Sequence, residues 1–566
     1  MHYHKILVIG GGLAGLRAAL ETAPKVDTAV VSQVHPVRSH SGAAQGGVNA
    51  PLANNPDGKD DSWERHAFDT IKGSDYLADQ DAVEFMTSEA GPCIYEIEHW
   101  GCPFSRTDEG KIAQRPFGGA GFPRTCFAAD KTGMYMLHTL WERSVKLDIP
   151  LYEDRVMIDL VLEGDSCRGV ICLNMRTGEL EQFMAEAVII ASGGSGQIYG
   201  RSTNALISTG SAQATCYRSG VPLKDMEFVQ FHPTSLFGTN ILMTEGARGE
   251  GGYIINSQGE RFMSKYAAKA MELAPRDIVS RSIQTEINEG RGIDGKDYVY
   301  LDLRHLGREK ILDRLPGIRD LAINFVGVDP IENPVPIQPG QHYTMGGIDT
   351  NVDGATKFKG LYAAGECGCV SVHGANRLGG NSLLDTVVFG KRSGRVAAEY
   401  VLSKTAFKEG EAAVNKCLRE AKERVGTLLS RSGTENHSDI RAEMKETMIK
   451  NVGIFRDKPL MEQALAKVKE LQERYGRITV QNKGKVYNVD IVRALELEGM
   501  LDVAEAIVTG ALKREESRGA HSRLDFKERD DEKFLRHTVA TYTPKGAQIS
   551  YSPVKVTKYK PEARRY

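Results

Sequence analysis

The sequence predicts an α/β protein that carries an inserted α+β domain and a C-terminal helical domain. Three features of its 566 residues support this prediction. A short apolar strand runs into a glycine-rich turn near the N-terminus, a mixed and proline-rich stretch separates two groups of glycine-rich motifs, and helical periodicity dominates near the C-terminus. A chain of this length has room for about three to four domains, at roughly 100–200 residues each.

The first predicted element is a βαβ unit. Residues 5–9 form an apolar run that favours a buried strand, and Gly10, Gly12 and Gly15 follow before a segment of helical composition. Residues 27–32 supply the second strand, so the unit spans about 30 residues. In such a Rossmann-like unit, glycine permits a tight turn and lets the backbone approach a pyrophosphate at the helix N-terminus. The pattern therefore predicts a dinucleotide site.

The second strand departs from the usual dinucleotide pattern at its end. Ser32 and Gln33 stand where a carboxylate normally holds the adenosine ribose, so other residues are expected to contact the ribose hydroxyls. Two further strands, over residues 187–191 and 360–366, lie beside glycines and are expected to end at the same ligand. One sheet would then be built from distant parts of the chain.

The remaining patterns divide the chain into four predicted parts. Residues 234–341 mix strand and helix patterns and end in a proline-rich exit, which predicts a domain inserted over the ligand. Helical patterns at residues 443–449, 460–474 and 489–513 predict a helical domain, and the polar, basic tail is expected to be a solvated terminus. The predicted parts are a discontinuous dinucleotide-binding domain (1–233 and 342–407), a capping domain (234–341), a helical domain (408–528) and a tail segment (529–566).

Composition argues against several classes of function. The 72 Lys and Arg residues nearly balance the 74 Asp and Glu residues, leaving a formal charge of −2, whereas nucleic-acid binders usually carry a basic excess. The nine cysteines form no C-x-x-C pair, which favours reduced, buried thiols and argues against a cluster or zinc ribbon in this chain. No apolar run reaches about 18 residues, and no signal-peptide pattern precedes the strand at Lys5. We therefore expect no nucleic-acid partner, no metal, and membrane association only through another component.

The segment after the second strand points to the kind of dinucleotide. In Arg38-Ser39-His40-Ser41-Gly42-Ala43-Ala44-Gln45-Gly46-Gly47, small residues and a glycine pair leave room for a flat ring beside the nucleotide turn. This segment resembles the flavin-attachment segment of succinate dehydrogenase and fumarate reductase flavoprotein subunits. The resemblance extends along nearly the whole chain through the motifs at residues 72–75, 114–119, 230–234, 244–252, 342–347, 373–382 and 516–521.

The resemblance implies FAD, bound covalently through the side chain of His40 to the flavin 8α-methyl. One position departs from the family, which commonly has Thr-Gly-Asp-Gly where this chain has Thr209-Gly210-Ser211-Ala212. A serine still offers a hydrogen bond to a ribose hydroxyl, but it offers no charge. The other residues assigned to FAD are Gly10, Gly12, Leu13, Ala14, Gly15, Ser32, Gln33, Ser39, Ser41, Ala44, Gln45, Gly46, Gly47, Ala191, Ser192, Gly193, Thr203, Asn204, Ser211, Gly365, Glu366, Arg377, Asn381, Ser382 and Leu383.

A site for succinate and fumarate is implied by the same resemblance. These dicarboxylates carry two negative charges, which favours arginine and histidine donors at both ends of the ligand. The family's substrate-binding positions fall on His232, Thr244, His342 and Arg377.

Arg276 matches the family's catalytic arginine on the capping domain. The resemblance implies that a proton moves between the substrate and Arg276 while a hydride moves between the substrate and the flavin. Glu245 and Arg248, three residues apart in one motif, would relay protons to Arg276. Closure of the capping domain would bring Arg276 over the flavin and exclude water.

Partners are implied as well: an iron–sulfur subunit, and one or more membrane-anchor subunits that bind quinone. The chain would then lie peripherally on the cytoplasmic face of a prokaryotic membrane. Two alternatives remain open. An L-aspartate oxidase-like enzyme would hold FAD non-covalently and work without cluster partners, which the Arg38-Ser39-His40-Ser41 segment disfavours. A flavin-binding assembly subunit without turnover is disfavoured by the retained arginines and histidines of the site.

Overall fold

The computed structural model describes residues 1–403 and 410–564. The predicted boundary between residues 407 and 408 and the basic tail residue Arg565 lie outside the described residues. The strands are β1 (His2–Ile9), β2 (Thr28–Ser32), β3 (Val48–Asn49), β4 (Gln114–Arg115), β5 (Thr125–Cys126), β6 (Leu151–Glu153), β7 (Arg155–Glu163), β8 (Ser166–Asn174), β9 (Leu180–Ile190), β10 (Leu223–Lys224), β11 (Val229–Leu236), β12 (Tyr253–Ile255), β13 (Val299–Asp302), β14 (Val335–Thr344), β15 (Gly347–Asp349), β16 (Leu361–Ala363), β17 (Gly368–Cys369), β18 (Phe455–Arg456), β19 (Ser522–Arg523), β20 (Arg536–Thr541) and β21 (Gln548–Pro553).

The helices complete the description of secondary structure. They are α1 (Leu13–Thr22), α2 (Trp63–Gly73), α3 (Gln80–Ser88), α4 (Ala90–His99), α5 (Thr132–Lys146), α6 (Ser211–Arg218), α7 (Glu245–Gly249), α8 (Met263–Tyr266), α9 (Arg276–Glu286), α10 (Arg308–Arg314), α11 (Pro316–Val326), α12 (Asn381–Leu402), α13 (Glu411–Ser430), α14 (His437–Asn451), α15 (Lys458–Tyr475), α16 (Val489–Lys513) and α17 (Asp531–Phe534). None of these helices is long and apolar enough to span a membrane, within the residues that the structure describes.

Seven strands form the central sheet, in the order β6-β2-β1-β9-β8-β7, with β16 also paired to β9. The strands β1, β2, β6, β9 and β16 are joined in parallel, and β7 and β8 extend the sheet as an antiparallel pair. Ile6 and Val8 pack in one cluster with residues of α1 and α12, whereas Leu7 and Ile9 face the opposite cluster, to which α6, α13 and α16 contribute. Burial on both faces explains the continuous apolar run at residues 5–9. The predicted α/β fold is confirmed.

The turn between β1 and α1 requires glycine at two positions. A Cβ at Gly10, where φ is +119°, would lie 2.2 Å from the carbonyl oxygen of Ala191. A Cβ at Gly15 would lie 1.9 Å from the carbonyl oxygen of Gly10, so α1 could not pack this closely against the strand. The two glycines therefore set how near the N-terminus of α1 lies to the end of the sheet.

A second sheet lies in the middle of the chain, in the antiparallel order β11-β14-β13-β12. Its apolar side chains and those of α8 to α11 form a separate cluster. Helix α9 begins at Arg276 and packs on β11, where the Ser280 hydroxyl donates to the carbonyl of Phe231 over 2.8 Å. This packing places the first turn of α9 near the carboxyl ends of the parallel strands β1 and β2 of the central sheet.

The C-terminal third contains the predicted helices: α14 and α15 extend beyond residues 443–449 and 460–474, and α16 spans residues 489–513. The prediction of a solvated terminus is wrong for β20 and for Arg564, which are largely buried, whereas Lys555, Lys558 and Lys560 are exposed. Strand β20 pairs with β10 through Leu223 and Ala540, and β21 pairs with β20. Strand β20 has six residues, four of them polar, and its partner β10 lies about 300 positions earlier in the sequence, so the local pattern does not reveal the pairing.

Candidate functional site

A cavity of about 690 Å³ opens at the carboxyl ends of the parallel strands β1, β2, β9 and β16. The N-termini of α1 and α12 face it, and both helices begin after a glycine, Gly12 and Gly380. Backbone N–H groups at such termini favour phosphate and other anions. The predicted FAD residues that line the cavity are Gly10, Gly12, Leu13, Ala14, Ser32, Gln33, Ser39, His40, Ser41, Ala44, Gln45, Gly46, Gly47, Ala191, Ser192, Gly193, Thr203, Asn204, Ser211, Glu366, Arg377, Ser382 and Leu383.

Three predicted FAD residues, Gly15, Gly365 and Asn381, are not among the lining residues. Gly15 lies in the first turn of α1 and packs against Gly10, away from the cavity. The Asn381 side chain is turned inward, where its oxygen accepts a hydrogen bond from Asn49 over 2.8 Å. These residues support the wall and do not form its surface.

The cavity wall carries polar atoms that a dinucleotide would satisfy. Ser39 Oγ, Gln45 Oε1, Ser192 Oγ and Asn204 Oδ1 are buried and have no hydrogen-bond partner among the described residues. Buried polar atoms without partners are unfavourable in a folded protein, so a ligand with hydroxyl, amide and ring-nitrogen groups suits this wall. A volume of about 690 Å³ lies within the usual range for cofactor sites, and the residues present fit FAD.

His40 lies in the same wall and is held at both ring nitrogens. The Ala205 N–H donates to Nδ1 over 3.2 Å, which leaves the hydrogen of a neutral ring on Nε2, 3.1 Å from the side-chain nitrogen of Asn204. Burial lowers the pKa of His40 to about 4, so the imidazole is neutral at physiological pH. A neutral, oriented imidazole is the form able to act as a nucleophile.

At the other end of the cavity, Arg276 is bound to Glu245. The Arg276 Nε–H and a terminal nitrogen both lie 2.7 Å from Glu245 Oε2, and the Gly118 N–H donates to Glu245 Oε1 over 2.7 Å. Burial favours the neutral carboxyl, but Arg276 and Arg248 hold the pKa of Glu245 below its usual range. Arg248 does not line the cavity; it lies behind Glu245, with a nitrogen 3.9 Å from Oε1. Glu245 is therefore an ionised link between two arginines.

Two neutral histidines face each other beside Arg276. The ring centroids of His232 and His342 are 4.9 Å apart, and burial together with Arg276 lowers both pKa values well below the usual range. The Thr234 N–H donates to His232 Nδ1 over 3.2 Å, which assigns the ring hydrogen to Nε2. His232 is thus a neutral group that can donate to a carboxylate without bringing a charge of its own, and His342 is a second neutral ring, with Nδ1 2.7 Å from the Thr203 hydroxyl.

Arg377 completes this end of the cavity. Burial and the nearby Arg276 lower the pKa of Arg377 to about 9, which leaves it charged at neutral pH. Its guanidinium lies 4.5 Å from the ring centroid of Tyr343, a cation–π contact. Thr244 caps the first turn of α7, because its hydroxyl accepts from the Gly246 N–H over 3.1 Å. Thr244, His232, His342, Arg276 and Arg377 all line one cavity with the predicted FAD residues.

Gln230 is a site residue that the sequence analysis did not single out. Its side-chain oxygen accepts hydrogen bonds from Arg276 over 3.2 Å and from Arg377 over 3.1 Å. A signal was available, because Gln230 and His232 stand two residues apart on β11 and neighbouring alternate positions share a strand face. Gln230 holds the two arginines of the cavity in one arrangement.

Comparisons with known proteins give the family. A model described as FAD binding domain matches residues 5–383, and one described as Fumarate reductase flavoprotein C-term matches residues 441–566. The chain is 45% identical to the fumarate reductase flavoprotein subunit of Mycobacterium tuberculosis, over 100% of this chain and 99% of that protein. It is 44% identical to the succinate dehydrogenase flavoprotein subunit of Rickettsia bellii, over 100% of this chain and 97% of that protein.

A solved structure agrees with these relatives. The FrdA chain of E. coli quinol fumarate reductase, in a variant form, superimposes with a TM-score of 0.96 at 42% identity, covering 100% of this chain and 99% of that one. These names do not favour the L-aspartate oxidase alternative. With an FAD-binding domain, a matching C-terminal region and full-length relatives, the chain belongs to the family of succinate dehydrogenase and fumarate reductase flavoprotein subunits.

Proposed function

We propose that this chain interconverts succinate and fumarate with FAD in the described cavity, and exchanges electrons with an iron–sulfur subunit and quinone. The observation that carries the proposal is the convergence of two arginines and two neutral histidines at one end of a cavity whose remainder fits a dinucleotide. FAD, when bound, supplies the two-electron redox chemistry.

The dicarboxylate is held by charge and by directed donors. Arg377 offers a fork of N–H groups to one carboxylate, and His232 offers its Nε2–H group. The cluster contains Arg276, Arg248 and Arg377. Of the two carboxyl groups that act on Arg377, Glu245 is ionised, whereas burial raises the pKa of Glu366 to about 7, so the arginines outnumber the negative charges and an anion is favoured there. Low solvent exposure strengthens each of these interactions relative to water.

Proton transfer is assigned to Arg276. During fumarate reduction its guanidinium gives a proton to a substrate carbon and becomes a neutral guanidine. During succinate oxidation the guanidinium first passes a proton to Glu245, and the neutral guanidine then accepts the proton that leaves the substrate. Glu245, bonded to it at 2.7 Å, exchanges the proton with Arg276, and Arg248 behind Glu245 keeps that carboxyl ionised between turnovers. The first turn of α9 holds Arg276 in the cavity wall, so substrate and proton donor meet without bulk water.

A covalent bond between His40 and FAD is also proposed. It is supported by the resemblance of the Arg38-Ser39-His40-Ser41 segment to the family's attachment segment and by the position of His40 in the cavity wall. The imidazole is neutral and its plane is held by Asn204 and Ala205, as a nucleophilic nitrogen requires.

Partner subunits follow from the named relatives. The E. coli structure belongs to a quinol fumarate reductase, and we propose for this chain an equivalent complex at a prokaryotic membrane, held there by partner subunits. Recovery of the chain with an iron–sulfur protein from detergent-extracted membranes is expected. Recovery of an active chain without any such partner would contradict the proposed complex.

The experiment that tests the activity uses the full chain loaded with FAD. We expect succinate-dependent reduction of an artificial electron acceptor and fumarate-dependent oxidation of a reduced dye, both competitively inhibited by malonate. L-aspartate should support neither reaction. Turnover with L-aspartate but not with succinate would replace the proposed function with the oxidase alternative.

A further inference from the structure

Arg564, near the C-terminus, forms a buried ion pair with Asp277, the residue that follows Arg276. Its Nη2 lies 2.6 Å from Asp277 Oδ2, and its Nε lies 3.3 Å from Asp75 Oδ1. The side chains are 10%, 0% and 7% exposed for Arg564, Asp277 and Asp75, so water screens these contacts weakly. The end of the chain thus joins α9 of the inserted region to the loop after α2.

Asp277, in the first turn of α9, accepts hydrogen bonds from several residues. Besides Arg564, Arg281 donates to its Oδ2 over 3.2 Å, and Asn376 donates to its Oδ1 over 3.2 Å. Burial favours the neutral carboxyl, but Arg564 and Arg281 hold the pKa of Asp277 below its usual range. Asp277 is therefore an ionised acceptor that, together with the Gly73 carbonyl 3.2 Å from the same nitrogen, orients the Asn376 amide.

The orientation of Asn376 determines the orientation of Gln230, which contacts the arginines of the cavity. With its nitrogen on Asp277, the oxygen of Asn376 faces Gln230 and accepts from the Gln230 amide nitrogen over 2.9 Å. The Gln230 nitrogen also donates to the backbone carbonyl of Arg377 over 2.7 Å. With its nitrogen held by these two acceptors, Gln230 presents its oxygen to the arginines, where it accepts from Arg276 at 3.2 Å and from Arg377 at 3.1 Å. Each amide has one correct orientation, because reversing either would place donor against donor.

We propose that Arg564 is a positioning residue for Arg276 and Arg377, acting through Asp277, Asn376 and Gln230. The inference rests on the proposed function, since it concerns the same arginines. Arg564 fixes the carboxylate at the start of α9, the carboxylate orients the two amides, and the second amide aligns both guanidinium groups. Replacing Arg564 removes no side chain from the cavity, but it leaves the guanidinium groups of Arg276 and Arg377 less firmly aligned. Misplacement of a reacting group by about 1 Å can cost a factor of about 10² in rate.

The test compares variants of the full, FAD-loaded chain in turnover per bound FAD. We expect R564Q to lower kcat by about tenfold or more, and R564K to recover most of that loss because the charge is kept. Lys560→Ala, which removes an exposed basic residue of the same segment, is the matched control and should retain wild-type turnover. Malonate affinity, measured by calorimetry, should weaken in R564Q, because Arg377 is aligned through the same amide.

A double-variant cycle separates positioning from stability. If Arg564 acts through Asp277, R564Q combined with D277N should be no slower than the slower single variant. A role in stability alone would lower the thermal midpoint of R564Q and leave kcat per FAD within twofold of wild type, which would overturn the inference, as would multiplicative losses in the double variant. Arg276→Gln distinguishes the two failures: normal turnover in that variant contradicts the proposed function itself, whereas its loss with normal R564Q turnover contradicts only the role of Arg564.

Discussion

Arg276 and Glu245 form a buried ion pair with two nitrogen–oxygen contacts of 2.7 Å, and the carboxylate of that pair is held from its other side by Arg248 and the Gly118 N–H. A salt bridge this enclosed is a poor source of stability, because desolvation offsets much of the attraction. The pair lies on the cavity wall beside His232 and His342. In the proposed function it keeps the guanidinium of Arg276 fixed and coupled to a proton acceptor beside the substrate.

Substitution of Arg276 should separate chemistry from cofactor binding. We expect Arg276→Gln to lower turnover by a factor of about 10²–10⁴, the usual contribution of a general acid or base, while FAD content stays at the wild-type level. Arg304→Gln, at an exposed arginine of the same inserted region, is the control and should keep full turnover. Steady-state rates per bound FAD, measured with succinate and with fumarate, decide the matter; an Arg276→Gln enzyme within tenfold of wild type is incompatible with the assigned role.

The hydrogen bonds that Gln230 accepts from Arg276 and Arg377 should affect both substrate binding and turnover. Gln230→Leu removes the acceptor shared by Arg276 and Arg377, and we expect kcat/KM to fall by about ten- to a hundredfold, because two guanidinium groups lose their common partner.

Gln182→Leu provides a matched control for Gln230→Leu. Gln182 is also buried and donates to Asn415 over 2.8 Å, but it lies on β9 opposite Ile171 of β8 and does not line the cavity. It should lose comparable stability and keep its kcat/KM. Equal kinetic losses in the two variants would show that Gln230 has no specific role in aligning the arginines.

Replacing His40 tests the proposed covalent linkage. Wild-type protein precipitated with acid should give a yellow, fluorescent pellet, whereas His40→Ser should release its FAD to the supernatant, because serine offers no imidazole nitrogen. His99→Ser, at an exposed histidine at the end of α4, should leave the pellet yellow. A colourless wild-type pellet, or a yellow pellet from His40→Ser, contradicts attachment through His40.

Local patterns were sufficient for the elements that depend on neighbours in sequence. The strand at residues 5–9 lies within β1, and the helix at 489–513 has the same limits in the structure, because apolar periodicity and glycine placement act over a few residues. The clustering of His232, His342 and Arg377 was also anticipated, but only from the resemblance to a family. Nothing in the spacing of residues 232, 342 and 377 measures their distance in space.

The residues that the sequence did not reveal depend on pairings between distant segments. Gln230 becomes significant only when Arg276 and Arg377 are both beside it, and Arg564 only when the tail reaches Asp277, 287 positions earlier. A polar tail is predicted to be solvated because the residues that it contacts lie far away in the sequence. Contacts of this kind are fixed by the packing of whole elements and leave no local pattern.

Gly15 should be intolerant of the smallest side chain. Because a Cβ would lie 1.9 Å from the carbonyl oxygen of Gly10, Gly15→Ala must push α1 away from the sheet, at a cost of about 1–3 kcal/mol, and FAD content should fall with it. Gly426→Ala is the control: no heavy atom lies within 4 Å of a Cβ there, and the residue is exposed inside α13. That variant should be unchanged or more stable by about 0.5–1 kcal/mol. Thermal midpoints and flavin absorbance per chain measure both effects; a Gly15→Ala protein with normal values would exclude the close packing described.

A buried histidine should make the free energy of unfolding fall as the pH rises above neutrality. His537 on β20 lies between two carboxylates, with Nδ1 2.7 Å from Asp225 Oδ2 and Nε2 3.2 Å from Asp79 Oδ1. Burial opposes its charge, but Asp225 and Asp79 prevail and raise the pKa of His537 to about 9. Since the pKa in the unfolded chain is about 6.5, the charged histidine stabilises the fold fully below that pH, by about 3 kcal/mol, and this contribution is lost as pH rises through about 9.

The thermal midpoint of the wild-type chain should therefore fall between pH 6.5 and pH 9, when scans are compared at one heating rate. His537→Gln should begin with a lower midpoint at pH 6 and show little change over the same window, because glutamine cannot titrate. His99→Gln should keep the wild-type slope, since His99 is exposed. An unchanged slope in His537→Gln would place the titrating group elsewhere. Because β20 leads into the segment that contains Arg564, loss of the His537 ion pairs should also loosen the contact between Arg564 and Asp277. Turnover per FAD should therefore decline more steeply over the same pH range in wild type than in R564Q, where that contact is already absent.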